Sequence, residues 1–81
     1  MGHLFDVQPD KTVSFPKGVA SAEIDAADSS GKHELDVIVW WSDNTHQEKR
    51  DYQILKIDDR GAGFTLSKIT NNSKVAVSVY G

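Results

Sequence analysis

Acidic side chains near turns are the residues of this sequence with the clearest chemical potential, since carboxylate oxygens bind divalent cations. Two turn-forming segments hold four aspartates, Asp25, Asp28, Asp58 and Asp59. An up-and-down strand order would bring them to one end of the molecule, within reach of a shared calcium ion. The segments lack the fixed spacing of a calcium-binding loop, however, and Asp, Ser and Gly are ordinary turn formers. Solvated turns are therefore expected, and no metal site is predicted.

A second set of polar residues is expected at the opposite end of the molecule. Its members are short hydrogen-bonding side chains of the type used for hydroxyl-rich ligands or adaptable loop contacts, namely Asp43, Asn44, Thr45, His46, Asn71, Asn72 and Ser73. The run Asn71-Asn72-Ser73 also matches an N-glycosylation acceptor, a motif so short that it is frequent by chance. Plain connecting loops have the same composition, so this set predicts no specific ligand.

Catalytic chemistry finds little support in the residue types and their spacing. His3, His33 and His46 show no paired spacing for a metal, and no serine lies in a glycine-framed nucleophile turn. Glu34 and Asp36 lie about 7 Å apart on one strand face by the strand rise. Alternating acids on a solvated face are ordinary, and a domain this small has no cleft that would desolvate them. The sequence therefore predicts no enzyme, no catalytic residue and no cofactor.

The composition narrows the class of protein further. The chain has 81 residues, no cysteine and a formal net charge of -3. A chain this short buries one modest core, so one domain over residues 1–81 is expected. The missing cysteines exclude a disulfide framework and thiolate zinc sites. The acidic balance argues against nucleic acid and anionic membrane surfaces as partners, because both select clustered Lys and Arg.

No targeting signal or membrane segment is visible in the sequence. Residues 1–10 lack the basic start and apolar stretch of a secretory signal, and the longest apolar run, residues 37–41, is too short to cross a bilayer. The location of the protein stays open at this point. An extracellular or surface-displayed protein is the expectation, and a cytoplasmic one is the alternative.

Alternation of apolar and polar residues dominates the chain from about Val19 onward, which predicts strands rather than helices. Short turn-forming segments separate the strands and favour antiparallel pairing, because parallel strands need long crossovers. The first ten residues are a candidate for a loose arm. Seven strands rich in β-branched or aromatic residues are predicted, at residues 4–8, 12–15, 19–25, 33–41, 50–57, 64–69 and 74–80.

Seven short antiparallel strands predict an all-β fold, a small two-sheet β-sandwich, with a small β-barrel as the alternative. The pattern resembles immunoglobulin-like domains in general, through strong alternation in the fourth, sixth and seventh strands and a tryptophan near the end of the fourth. That resemblance implies that these three strands share one sheet. It extends to no specific family, and the two-cysteine signature of antibody domains is absent, so it implies a fold and no function.

The direction of the side chains follows from the cost of burying charge. If Leu35 and Trp41 point inward, Glu34 and Asp36 stay in solvent, whereas the opposite register would bury both carboxylates at several kcal/mol each. Applied along the chain, this reasoning predicts a core that contains Ile24, Val37, Val39, Trp41, Ile54, Leu66, Val75 and Val77.

The same register leaves an aromatic patch on the outer face of the predicted sheet. Monomers seldom expose a contiguous apolar patch without a use, and aromatic side chains on a flat face suit a protein partner or a stacked sugar ring. We therefore expect a non-catalytic binding or assembly module that contacts a protein partner or a second copy of itself, with a carbohydrate-binding, lectin-like module as the alternative. The predicted contact residues are Asp36, Ile38, Trp40, Ser67, Ile69, Ser78 and Tyr80.

Two other placements of Trp40 are compatible with the sequence. Leu4 and Phe5 of the N-terminal segment could pack over the indole and cover it. A bulge in the fourth strand could instead send both Trp40 and Trp41 into the core. Either placement would leave the patch without a binding role.

Overall fold

The computed structural model describes residues 2–81 and shows eight strands joined by short turns. No helix among these residues is long and apolar enough to cross a membrane. The strands are β1 His3–Val7, β2 Thr12–Ser14, β3 Ala22–Ala26, β4 Glu34–Trp41, β5 His46–Tyr52, β6 Ile54–Ile57, β7 Leu66–Asn71 and β8 Val77–Tyr80.

The strands form two antiparallel four-stranded sheets that pack face to face. Sheet I has the order β1-β8-β3-β6 and sheet II has the order β2-β7-β4-β5, and neither closes into a barrel. The predicted fold class, an all-β two-sheet antiparallel sandwich, is confirmed. The strand order is that of a jelly roll, a double Greek key in which the chain crosses repeatedly between the sheets. The expectation that the last two strands share a sheet is wrong, because β7 lies in sheet II and β8 in sheet I.

The core lies between the two sheets and is filled from the inward side of each strand. In β4, every second residue from Leu35 to Trp41 is buried, and the residues between them are only half-buried. This register keeps the carboxylates of Glu34 and Asp36 out of the core, as predicted. Six predicted core residues are confirmed as buried, namely Ile24, Val37, Val39, Trp41, Leu66 and Val77.

A β-bulge in β7 changes the direction of its later side chains. Leu66 and Lys68 pair with successive residues of β4, so Ser67 is an extra residue without a partner there. The extra residue shifts the alternation by one position, which turns Lys68 outward and Ile69 inward. The prediction that Ile69 lies on the exposed face is therefore wrong, since Ile69 is fully buried.

A sharp corner at Gln53 divides the predicted strand 50–57 into β5 and β6, which belong to different sheets. Gln53 has a φ of 67°. Its backbone N–H donates to the carbonyl oxygen of His33, and its carbonyl oxygen accepts from the backbone N–H of Ala26. The alternation restarts after this residue, so Leu55 and Ile57 are buried while Ile54 is 47% exposed. The prediction of Ile54 as a core residue is therefore wrong.

β5 also begins earlier than predicted, at His46. Its sequence, HQEKRDY, contains no large apolar residue before Tyr52 and therefore carries no alternation signal. The strand forms because β4 offers it a long edge, to which it is paired from His46 through Tyr52.

Both ends of the described chain are tied into sheet I. The first ten residues do not form a loose arm, because β1 pairs with β8 up to the pair Val7 and Val77. β8 begins at Val77, later than the predicted strand 74–80. Val75 therefore lies in the preceding turn and is half-buried against the core, not enclosed in it as predicted.

Asn71 holds the point where the chain crosses from sheet II to sheet I. Its side chain is fully buried, and Nδ2 donates to the carbonyl oxygens of Val7 (3.0 Å) and Val75 (2.9 Å). Its Oδ1 accepts from the backbone N–H of Ser73 at 2.9 Å. The Ser73 hydroxyl oxygen in turn accepts from the backbone N–H of Asp36 at 2.8 Å. This network joins β1, β4 and the turn after β7, and it satisfies polar groups that water cannot reach.

Replacement of Asn71 by alanine is expected to destabilise the fold by roughly 2–4 kcal/mol, because it leaves buried backbone groups without partners. Chemical unfolding monitored by circular dichroism measures the change. Asn72→Ala is the matched control, since Asn72 is exposed and uses only its backbone N–H in this region. A loss below about 1 kcal/mol for Asn71→Ala would contradict the role given to the network.

Candidate functional site

The outer side of sheet II carries a tryptophan between two nitrogen-bearing side chains. Trp40 lies opposite His46 of β5 and Lys68 of β7. The His46 ring centroid is 6.1 Å from that of the indole, and the Lys68 Nζ atom lies over the indole at 4.8 Å from its centroid. The lysine makes a cation–π contact at this distance. We call Ile38, Trp40, His46 and Lys68 the Trp40 face.

Polar side chains continue along the same side of sheet II. Ile38 lies opposite Glu48 and Thr70 on the two neighbouring strands. The Asp36 carboxylate is 3.3 Å from Nε of Arg50, whose side chain is 71% exposed. A pair with so exposed a partner contributes at most about 1 kcal/mol, so it restrains the Arg50 side chain only weakly. The Trp40 face is thus an aromatic and aliphatic strip bordered by charged and hydroxyl groups.

The structure brings some of the predicted contact residues together. Three of them share the outer side of sheet II, namely Asp36, Ile38 and Trp40. Ser67 is exposed in the bulge beside Lys68, at the rim of this surface. Ile69 is removed from it, because the bulge turns that side chain into the core.

The other two predicted contact residues lie on the opposite side of the sandwich. Ser78 and Tyr80 belong to β8, which pairs with β1 and β3 in sheet I. Their placement beside Trp40 is therefore wrong. The reason is the strand order, which sequence alternation does not encode.

Two neighbours of the indole, His46 and Lys68, were not predicted from the sequence. His46 was assigned to a loop, and strict alternation after Leu66 would have turned Lys68 toward the core. A lysine at an inward position between apolar residues is costly to bury. That cost was the one signal in the sequence that could have indicated the bulge and placed Lys68 outside.

Neither alternative placement of Trp40 occurs. Leu4 and Phe5 pack against the core, and Phe5 meets Phe15 edge-on with ring centroids 5.3 Å apart. The extra residue of the bulge lies in β7 rather than β4, so Trp41 alone points inward.

Trp41 anchors the end of β4 from the inside. Its indole N–H donates to Oε1 of Gln47 at 3.2 Å. The Arg60 guanidinium lies 5.2 Å from the Trp41 ring and 4.2 Å from the Phe64 ring, and it donates to the Thr45 hydroxyl at 3.0 Å. These contacts hold the end of β4, where the adjacent residue Trp40 points to the other side of the sheet.

The four aspartates considered for calcium do not come together. β3 and β6 are antiparallel neighbours, so the residues that follow them lie at opposite ends of sheet I. Asp25 and Asp28 are therefore separated from Asp58 and Asp59. Within residues 2–81, no group of three or more His, Asp or Glu side chains is arranged to hold a metal ion.

The second polar set is divided in the same way. Residues 43–45 follow the end of β4, whereas the backbone N–H of Asn72 donates to Asp36 near its start. Asn71 and Ser73 are buried. Because the Asn71 amide is used inside the protein, it is not accessible to a glycan in the folded state.

The acidic residues of two turns accept hydrogen bonds from the residues that follow them. Ser30 donates its hydroxyl to Asp28 at 2.6 Å, which is the main reason why the pKa of Asp28 lies below its ordinary value. Thr45 donates to Asp43 at 2.6 Å and lowers the pKa of that carboxyl in the same way. Both groups therefore stabilise their turns, as the sequence predicted for Asp residues in such segments.

Two shallow grooves among the described residues lie away from the Trp40 face. One of about 310 Å³ is bordered by Glu23, Lys56 and Tyr80 on sheet I. The other, of about 250 Å³, is bordered by His33 and Ser73. Pockets for small molecules usually occupy roughly 300–1,000 Å³. The Trp40 face is flat by comparison and suits the surface of a macromolecule or a sugar ring.

The structure defines a small jelly-roll sandwich with an aromatic strip on one outer side. No protein-family model, curated protein or solved structure matches the chain. Since a fold of this class supports many functions, the functional argument rests on the site itself.

The two tryptophans are expected to differ in their fluorescence. Trp41 is 1% exposed and should emit at shorter wavelength with little quenching by acrylamide, whereas Trp40 is reached by solvent. Trp40→Phe should therefore remove most of the quenchable emission. The placement of Trp40 on the outer side would be wrong if the substitution left the quenching unchanged.

Proposed function

We propose that this domain is a non-catalytic binding module and that its Trp40 face contacts a protein partner, which can be a second copy of the chain. The observation that carries the proposal is the outward position of Trp40 on an inner strand, with its indole held between Lys68 and His46. An aromatic side chain that is restricted before binding loses little conformational freedom on contact.

The strand edges support contact through a face rather than by strand addition. β1 has an irregular register between His3 and Phe5, and β2 and β6 have only three and four residues. β5 is longer but carries consecutive charged residues, and Lys49 points toward the inner side opposite Val37. Bulges, short edge strands and inward charges all oppose pairing with another strand.

The dimensions of sheet II indicate what kind of contact it can make. Four strands spaced about 4.8 Å apart, with about 3.3 Å per residue along the eight residues of β4, cover on the order of 500 Å². A standard protein interface buries about 800 Å² on each partner. The Trp40 face and its polar border therefore suit a small, reversible contact, with the indole as its central anchor.

A carbohydrate partner is the second candidate. The specific observation in its favour is a set of hydrogen-bonding groups near the indole. Lys68 and His46 lie opposite Trp40, and Glu48 and Thr70 lie opposite the adjacent Ile38. A sugar can stack on an aromatic ring while such groups bind its hydroxyls. Lys68 covers part of one indole face and would have to move aside.

Trp40→Ala is expected to weaken the contact by about 30-fold or more, which corresponds to roughly 2 kcal/mol for a central aromatic anchor. Two-dimensional NMR spectra over a dilution series detect contact between copies of the chain, and the shifts should concentrate on the Trp40 face. A photo-crosslinking residue at Thr70, used in the native cells, detects a different protein. Addition of soluble glycans tests the second candidate.

Tyr80→Ala is the matched control, because Tyr80 is a half-buried aromatic residue on the outer side of sheet I. It should leave both readouts unchanged. The proposal fails if Trp40→Ala preserves the dilution shifts and the crosslinked species, or if the two substitutions reduce them equally. Shifts that appear only with a glycan would replace the protein partner by the carbohydrate.

A further inference from the structure

The outer side of sheet I contains a carboxylate oxygen that nothing satisfies. Asp25 lies on β3, the strand between β8 and β6, with Ser78 and Ile54 as its cross-strand neighbours. Its Oδ1 atom has no contact with solvent and no hydrogen-bond partner. Ser78 does not supply one, because its hydroxyl donates to Asp6 at 2.8 Å. An ionised oxygen in this position carries a desolvation cost that no donor offsets.

A second carboxyl group lies within reach of the first. Glu23 precedes Asp25 by two residues on the same side of β3, and its negative charge acts on the Asp25 carboxyl. Two ionised carboxylates repel each other, whereas a proton on one allows it to donate a hydrogen bond to the other. The arrangement therefore favours a state in which the pair holds one proton.

The other titratable groups around the pair decide which carboxyl takes the proton. Lys56 on β6 and Tyr80 on β8 lie opposite Glu23, which therefore has an amine on a neighbouring strand. Beyond β8, β1 contributes His3 and Asp6, which bind each other at 2.8 Å. Asp25 faces no cation on either neighbouring strand, so it is the group that becomes protonated.

We infer that Glu23 and Asp25 form a proton-binding pair, in which one proton is taken up by Asp25 and shared with Glu23 as the solution is acidified. The pKa of Asp25 is raised, first by burial and then by the hydrogen bond and charge of Glu23. Uptake removes one negative charge from the outer side of sheet I, on the side of the molecule opposite the Trp40 face. The inference is independent of the proposed binding function.

The sign of the effect on stability follows from the raised pKa. The stability that the protonated pair contributes to the fold is fully present below the ordinary pKa of an aspartate. It is lost as the pH rises through the raised pKa of Asp25. The protein is therefore expected to gain stability from this pair on acidification from neutral pH, opposite to the usual effect of a carboxylate held by a cation.

Asp25→Asn tests the inference, because asparagine is neutral at every pH and can donate to Glu23. Its midpoint of thermal unfolding should exceed that of the parent protein at pH 7 by about 5 °C in a domain of this size. The difference should disappear near pH 3. Glu48→Gln is the matched control, since it removes one negative charge from an exposed strand position on sheet II, and it should show no such pattern.

A carbon-detected NMR titration of the unmodified protein gives a second readout that does not depend on any substitution. Asp25 should titrate above an ordinary aspartate, and Glu23→Gln should lower the pKa of Asp25. The inference is overturned if Asp25 titrates at or below an ordinary aspartate, or if Asp25→Asn leaves the midpoint at pH 7 unchanged or lower.

Discussion

The buried amide of Asn71 is the interaction on which the two-sheet arrangement most depends. It lies where the chain leaves sheet II for sheet I, and it bonds to the backbone of Val7 in one sheet while belonging to a strand of the other. Through Ser73 the same network reaches the backbone of β4. A buried polar group of this kind stabilises only one arrangement of its neighbours, because any other leaves donors and acceptors unpaired. It thereby specifies the crossing that makes the sandwich a jelly roll.

The Trp40 face follows from that crossing and from one irregularity. β7 is paired with β4 from Asn71 back to Leu66, and the bulge at Ser67 turns Lys68 outward beside the indole. Without the extra residue, the charged side chain would face the core and Ile69 would face solvent. The same bulge thus completes the core and builds the cation–π contact at the surface. Stability and candidate function share a single local feature of the backbone.

The two outer sides of the sandwich differ in their chemistry. Sheet II carries an indole bordered by a lysine, an imidazole, a hydroxyl group and an ion pair, whereas sheet I carries the Glu23 and Asp25 carboxyl groups in its centre. Each side is built on inner strands, where both neighbours restrict the side chains. The edge strands are short, bulged or charged, which opposes pairing with a strand of another chain. A module of this size can in this way present two unlike surfaces without a cleft.

Alternation and the cost of buried charge were enough to determine the class of fold, six of the eight core residues that were named, and the outward direction of Ile38 and Trp40. These properties depend on residues close together in the chain. The sequence did not determine which strands are neighbours, so Ser78 and Tyr80 were placed on the wrong side. Nor did the sequence show that the inward and outward alternation of side chains shifts by one residue at Ser67 and restarts at Gln53. For this reason Ile69 and Ile54 were assigned to the wrong sides. Strand order and bulges depend on contacts between distant residues, such as the bond from Asn71 to Val7, and only the tertiary structure brings these together.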